Sequence, residues 1–235
     1  MTTLVQLTEL RLRADIVSGA LAPQQKLRVE ALKTRYDVGG SPVREALSRL
    51  VGEGLVTFEG NKGFRVCGLS REDLADIAYM RASIESCAIR TAIERGDAKW
   101  EAGIFSSLHC LVRATEGTAT DRESLEAWNA AHDDFHVALV SACGSKRVLG
   151  LQSRLAEQHN RYRRMLMGAN IPRKLIVDEH RAIADAALSR DAELAAALLR
   201  RHMRITSDFY ARVLAGEVAP ARADIIAPDA ETAPD

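Results

Sequence analysis

Apolar residues recur at helical spacing almost everywhere after residue 70. The exception lies early, where Leu55-Val56-Thr57-Phe58 and Phe64-Arg65-Val66 form two short β-prone runs around the turn-rich stretch Glu59-Gly60-Asn61-Lys62-Gly63. This pattern predicts a mostly α chain carrying one small hairpin. With 235 residues, 47% of them hydrophobic, the chain is long enough for one large or two small domains and too apolar to be wholly disordered. No run approaches ~18 consecutive apolar residues, and Met1 to Leu10 has neither the basic start nor the small-residue cleavage site of a signal peptide. The expectation is a cytoplasmic protein without a membrane span. Cys67, Cys87, Cys110 and Cys143 stand apart with no Cys-x-x-Cys pair, so they read as reduced structural thiols.

Three helices are predicted before the hairpin, over Leu4 to Ser18, Val29 to Tyr36 and Pro42 to Glu53, the first and third closed by Gly19 and Gly54. Together with the hairpin they make a compact module over residues 1–68. A break at Gly68-Leu69-Ser70 follows, with Ser70 as N-cap and Asp73 near the positive helix end. Six helices are expected beyond it, over about 71–95, 97–116, 121–143, 146–168, 172–189 and 191–214, and their short connections make neighbours antiparallel. Residues 69–215 are therefore expected as an antiparallel all-helical bundle. Residues 216–235 carry three prolines and five acids against Arg222, and read as a disordered acidic tail.

Within the third helix, Ser41 suits the N-cap and Pro42 the first helical position. Val43, Ala46, Leu47 and Leu50 share one face, which turns Arg44, Glu45, Ser48 and Arg49 outward. Arginine in the first turn of an exposed helix suits a major groove: Arg44 can pair bidentately with guanine, and the free N–H groups at the helix start can hold a phosphate. Taken alone, the helix reads equally as an amphipathic surface helix with a Glu45–Arg49 pair. Zero net charge over the whole chain even argues against nucleic acid. Divided along the chain, however, that zero is +3 for residues 1–66, +1 for 67–215 and −4 for the tail. Lys62 and Arg65 at the hairpin tip complete the arrangement of a winged helix-turn-helix.

Gly19-Ala20-Leu21-Ala22-Pro23 with Leu27, Ser41-Pro42-Val43-Arg44-Glu45-Ala46-Leu47 with Arg49-Leu50, Glu53-Gly54-Leu55-Val56, and Gly63-Phe64-Arg65-Val66 together resemble the GntR family of bacterial transcription regulators. The resemblance implies that Ser41 and Arg44 face operator DNA and that the Lys62-Gly63 tip enters the minor groove. The full candidate set for double-stranded operator DNA is Arg35, Ser41, Pro42, Arg44, Ser48, Arg49, Lys62 and Gly63. Many members have an arginine just before the position of Ser41, where this chain has Gly39-Gly40, so family operator sequences do not transfer.

The histidines His109, His132, His136, His159, His180 and His202 all fall in the expected bundle, on apolar helix faces. His132 and His136 share a stripe with Trp128, Leu139 and Cys143, His180 one with Ile176 and Ile183, and His202 one with Leu198 and Phe209. Neutral imidazoles converging from three helices are a natural site for Zn, Ni or another divalent metal. Spacing alone does not select the ligands, because His109 and His159 lie on similar stripes.

Ala78-Tyr79-Met80-Arg81 with Glu85, Phe135-His136 with Ala138-Leu139, Ala142-Cys143-Gly144-Ser145, and Glu179-His180-Arg181-Ala182-Ile183 with His202 extend the resemblance. They look like the all-helical ligand-binding domain called FCD, of the FadR branch. Members with a metal site use an Asp-x-x-x-His pair and two later histidines. By position the ligands become His132, His136, His180 and His202, with His132 where the family usually has aspartate. The resemblance further implies a small carboxylate effector, with Arg81 at the position that pairs with its carboxylate. Arg161 and Arg163, with His159 and Tyr162 nearby in sequence, offer a second anchor if their helix faces the cavity, against the alternative of a solvated arginine face. The combination of Tyr36 to Pro42 with His132 to Ser145 looks most like the carbon-starvation-induced regulators, whose effector is a short dicarboxylate such as glutarate.

These readings converge on a homodimeric transcriptional repressor whose operator affinity is set by an effector bound near a metal. Two rivals stay open. His132-Asp133-Asp134-Phe135-His136 has the histidine spacing of a zincin helix, although the glutamate such an enzyme needs at the second position is absent. The bundle also reads as a dimerisation scaffold without metal or effector.

Overall fold

The computed structural model describes residues 2–116, 122–166 and 173–218. Helix α1 (Leu4–Val17) opens on Thr3, whose hydroxyl accepts from the Gln6 amide while the Gln6 side chain accepts from the Thr3 N–H. That reciprocal pair satisfies two of the N–H groups left open at a helix start. Then follow β1 (Lys26–Leu27), α2 (Val29–Tyr36), α3 (Gly40–Gly52), β2 (Val56–Glu59) and β3 (Gly63–Val66). The expected hairpin forms, with Phe58 opposite Phe64, and β1 adds a third antiparallel strand on the far side of β3. At two residues β1 is too short to show alternation, so the sequence pattern passes over it. Leu12, Ile16, Leu32, Val43, Leu47, Leu50 and Val66 close a separate core inside this module.

Helix α3 begins one turn detail earlier than expected. Gly39 is the N-cap, so Ser41 is not the cap and Pro42 is the third helical residue rather than the first. The first backbone bond of the helix runs from Val43 N–H to Gly39 C=O at 3.5 Å. None of the N–H groups before it has a helical acceptor, so a proline in any of those places costs no bond.

The bundle contains α4 (Arg71–Arg95), α5 (Ala98–Glu116), α6 (Arg122–Val140), a 3-10 turn at Ser141–Cys143, α7 (Lys146–Leu166), α8 (Arg173–Leu188) and α9 (Ala192–Leu214). Ser70 caps α4 as predicted, accepting from Asp73 N–H at 3.1 Å. The third bundle helix ends sooner than expected, tightening at Ser141 and stopping at Gly144, whose φ of 74° is left-handed. Central α4 packs against α6, α7 and α9, and Ile89, Ile104, Trp128, Phe135, Leu139, Ala184 and Leu199 lie in the main core. The predicted breaks at Gly117 and Asn170-Ile171-Pro172 lie outside the described residues, as do residues 219–235 of the predicted tail. No helix among the described residues is long and apolar enough to cross a membrane.

Module and bundle meet along α7. Arg13 pairs with Glu53 and with Glu157, the latter at 2.6 Å, and Gln158 Nε2 donates to the Glu53 carbonyl at 2.6 Å. The Arg161 guanidinium donates to the Cys67 carbonyl. Tyr162 Oη accepts from Ser70 N–H at 3.2 Å and donates to Asp73 Oδ2 at 2.6 Å. A small core of Leu74, Ile77, Tyr162, Leu166, Tyr210 and Val213 backs this junction.

Candidate metal centre and nucleic-acid interface

On α3 the predicted division of faces holds. Val43, Ala46, Leu47 and Leu50 are buried, whereas Ser41, Arg44, Glu45, Ser48 and Arg49 are exposed and Pro42 is half-buried. Helix α2 is fixed beneath it by Asp15 of α1, which accepts from Tyr36 Oη at 2.7 Å and from Arg35 Nε at 2.9 Å. Burial, followed by the bond to Asp15, pushes the Tyr36 phenol upward. The basic candidates differ in their freedom. Arg35 pairs with Asp15, Arg49 with Glu45 and Glu9, and Lys62 with Glu59. Arg44 has no such carboxylate among the described residues, so it projects from the second turn of α3 with its donors open. Ser48 Oγ donates to the Arg44 carbonyl within the helix, and Gly63 holds φ 79° at the start of β3, shaping the wing tip beside Lys62.

Inside the bundle, His132 and His136 of α6, His180 of α8 and His202 of α9 are all buried, and each offers a ring nitrogen within 4.8 Å of the others. His109, expected on an apolar face, is exposed. Partners of the rings define their tautomers. His180 Nδ1 lies 2.6 Å from the Ile176 carbonyl, which only accepts, so Nδ1 carries the hydrogen and Nε2 a bare lone pair. His202 Nδ1 likewise donates to Glu179 Oε2 at 2.8 Å. His136 Nδ1 faces Glu85 Oε2 at 3.6 Å, and its Nε2 stands 3.2 Å from His180 Nε2. With the His180 Nε2 lone pair bare, His136 either donates from Nε2 across this 3.2 Å contact or, with its hydrogen on Nδ1 toward Glu85, sets a second lone pair against the first. In the second form the two lone pairs can hold a cation between them. Burial, then the nearby positive groups, hold His132, His136 and His180 well below the usual histidine range, in the neutral form that ligates metal.

Beside the histidines, Arg81 is buried and donates Nε to Glu85 Oε1 at 2.8 Å. His159 is buried with both ring nitrogens unpartnered and packs 5.4 Å, ring to ring, from Tyr210. Arg163 donates to Asn129 Oδ1 at 3.0 Å, to Asp133 Oδ1 at 2.7 Å and to His132 Nδ1. A solvated arginine face on α7 is thereby overturned: Arg161 and Arg163 are 1% and 2% exposed. Arg161 is also corrected as an effector anchor, since it points away from the histidines to the Cys67 carbonyl. Glu85, Asn129 and Glu179 were given no role by sequence reasoning. Glu85 carried a local signal, one turn after Arg81, and Asn129 lies one turn before His132. Glu179 carried none, because its partner lies on another helix.

A winged helix-turn-helix joined to an all-helical bundle is the architecture of a DNA-binding transcriptional regulator, and comparison with known proteins agrees. The family model "Bacterial regulatory proteins, gntR family" matches residues 4–66 and the FCD domain matches residues 76–205. The uncharacterised HTH-type transcriptional regulator BphR of Paraburkholderia xenovorans is 44% identical over 202 residues, covering 86% of this chain and 82% of BphR. The HTH-type transcriptional repressor GlaR of Escherichia coli is 35% identical over 209 residues, covering 87% and 94%. In fold, the chain resembles E. coli McbR/YncC, with TM-score 0.75 at 21% identity over 89% of this chain and 98% of that one. The chain belongs to the GntR family and carries an FCD domain. It is a DNA-binding transcriptional regulator and not an enzyme, which removes the zincin reading.

Proposed function

We propose that this regulator is a cytoplasmic, homodimeric repressor in which residues 1–68 read the operator and residues 69–215 sense a small carboxylate beside a divalent metal. The observation that carries the sensor reading is the convergence of four buried histidines, each with a ring nitrogen within 4.8 Å of the others, in which His136 Nε2 stands 3.2 Å from the bare Nε2 of His180. His132, His136, His180 and His202 would hold Zn, Ni or a similar ion, which supplies positive charge and open coordination positions for an anion. A tetrahedral ion with Zn–N bonds of about 2.0–2.1 Å sets its ligand nitrogens about 3.3 Å apart, so rings whose nitrogens lie within 4.8 Å of one another must draw in by up to about 1.5 Å to share one.

Arg81 is the first anchor for the effector carboxylate. Its Nε and Nη2 both meet Glu85 Oε1 at 2.8 Å, which uses two of the five guanidinium N–H donors. His159, buried with no partner on either nitrogen, supplies a polar contact, and Arg163 supplies a second guanidinium. A short dicarboxylate such as glutarate meets both arginines. Effector binding must favour one arrangement of the winged modules over the other in order to change operator affinity. On the DNA side Arg44, free of internal ion pairs, reads a base, while Arg35, Ser41, Pro42, Ser48, Arg49, Lys62 and Gly63 position the backbone.

Two measurements test this reading. Metal analysis of purified protein combined with a thermal-shift screen of small carboxylates should show a bound divalent ion and a stabilising acid, whereas a bare scaffold shows neither. Arg44→Ala should weaken specific operator binding by about 10- to 100-fold with little change in nonspecific binding. Unchanged operator affinity and selectivity in Arg44→Ala would remove α3 as the reading helix.

A further inference from the structure

The four histidines are not equivalent. His180 and His202 donate Nδ1–H to oxygens that only accept, the Ile176 carbonyl at 2.6 Å and Glu179 at 2.8 Å, and so present a bare Nε2 to a cation. His136 Nδ1 has no hydrogen-bond partner among the described residues, with Glu85 Oε2 3.6 Å from it, so that ring is free to take the same form when a cation binds. His132 is reversed. Its Nδ1 meets the Arg163 guanidinium, which only donates, so the single lone pair of the neutral ring is at Nδ1 and its hydrogen at Nε2. In this state His132 has no lone pair left for a metal.

The surroundings supply a second state. Asp133 Oδ1 lies 3.6 Å from His132 Nδ1 and at present accepts from Arg163 Nη2 at 2.7 Å. Asp133 is also the partner of Asn160 Nδ2 at 2.8 Å, so its carboxylate stays in place when the arginine leaves. With Arg163 withdrawn, His132 changes tautomer: Nδ1 takes a proton from water and turns it toward Asp133, Nε2 returns its own proton to water, the ring stays neutral with no net proton change, and the Nε2 lone pair becomes free.

We infer that Arg163 and the metal compete for His132, which makes His132 an exchangeable fourth ligand beside a fixed set of His136, His180 and His202. A carboxylate that pairs with Arg163 frees His132 to join the metal. Effector and metal then tighten one another's binding by the same factor. This inference rests on the metal reading above. It also gives a chemical role to the departure from the family's aspartate: a carboxylate at position 132 has lone pairs enough for arginine and metal together, whereas a neutral imidazole has one.

The test uses the full chain with Zn2+ and 15N-labelled histidine. In wild-type protein without effector, NMR should show three metal-bound Nε2 atoms and His132 as the Nε2–H tautomer. Arg163→Met should show four metal-bound rings and bind Zn2+ at least ~10-fold more tightly, the size of change typical when a group behind a ligand is altered. Adding His132→Phe to Arg163→Met should erase that gain. Four metal-bound rings in the effector-free wild type would overturn the inference without needing any variant. So would an Arg163→Met protein that melts like wild type but binds Zn2+ no more tightly. A wild type that takes up no Zn2+ would overturn the metal centre itself, and the exchange with it.

Discussion

Metal-free protein should lose stability in mild acid through its buried histidines, well before its carboxylates protonate. His132, His136, His159 and His180 are all held far below the ordinary range, primarily by burial and then by neighbouring positive groups. Their unfolded counterparts titrate near about 6.5. Above that pH both states are neutral and the rings cost nothing. As pH falls below it, the unfolded chain takes up protons that the folded chain refuses, so stability is lost with falling pH. While the folded rings stay neutral, each ring costs about 1.4 kcal/mol at pH 5.5, and the four together cost about 5 to 6 kcal/mol. For a domain of this size that is a fall in Tm of about 10–20 °C. Thermal unfolding followed by circular dichroism in EDTA, at pH 7.5, 6.5 and 5.5, measures it. Most of the fall should come between the lower two values. Saturating Zn2+ should raise Tm at all three pH values without removing the fall, because the ion adds binding energy to a folded state whose rings are already neutral. A Tm that stays level from pH 7.5 to 5.5 in EDTA would refute the claim that these rings are buried and neutral.

Other perturbations probe the ion pair and the junction. Glu85→Ala leaves the Arg81 guanidinium buried without its counter-charge and should cost about 3–5 kcal/mol in a urea titration; a cost below 1 kcal/mol would mean that water reaches the pair. Gly54 has φ 73°, and a Cβ there would lie 2.8 Å from Gln158 Nε2, the group that donates to Glu53. Gly54→Ala should therefore destabilise by about 1–2 kcal/mol from the backbone alone and speed proteolytic cleavage near residue 68. Cleavage at the wild-type rate would show that the Gln158 contact does not hold the junction.

The reading helix, its buried face and the hairpin were legible because each rests on local periodicity or turn chemistry: Val43, Ala46, Leu47 and Leu50 repeat at helical spacing, and Gly60 to Gly63 punctuate two β-prone runs. Helix ends were legible to within a few residues. The error at Ser41 arose because serine before proline looks like a cap, while Gly39 takes the cap with no side chain at all. The four histidines were legible only through the family pattern, since stripe position did not separate them from His109 and His159. What fixes their tautomers was not legible. Ile176, Glu179 and Arg163 reach the rings from one turn or one helix away, and no periodicity of a single segment encodes such a meeting. Arg161 and Arg163 show the same limit: two arginines in one turn read as solvent-facing, yet one is enclosed by Asn129 and Asp133 and the other by the chain around Cys67.

For anyone assembling hybrid regulators, the contacts along α7 move the useful cutting point. A join at residue 68 transplants the winged module but leaves Glu157 and Gln158 behind, and with them the partners of Arg13 and of the Glu53 carbonyl. Arg161, in contrast, grips a main-chain carbonyl and will accept any residue in place of Cys67. A graft that keeps this chain's bundle and imports a foreign winged module therefore needs an arginine at position 13 to meet Glu157, while position 53, which meets Gln158 through its main-chain carbonyl, and the tether both tolerate free sequence.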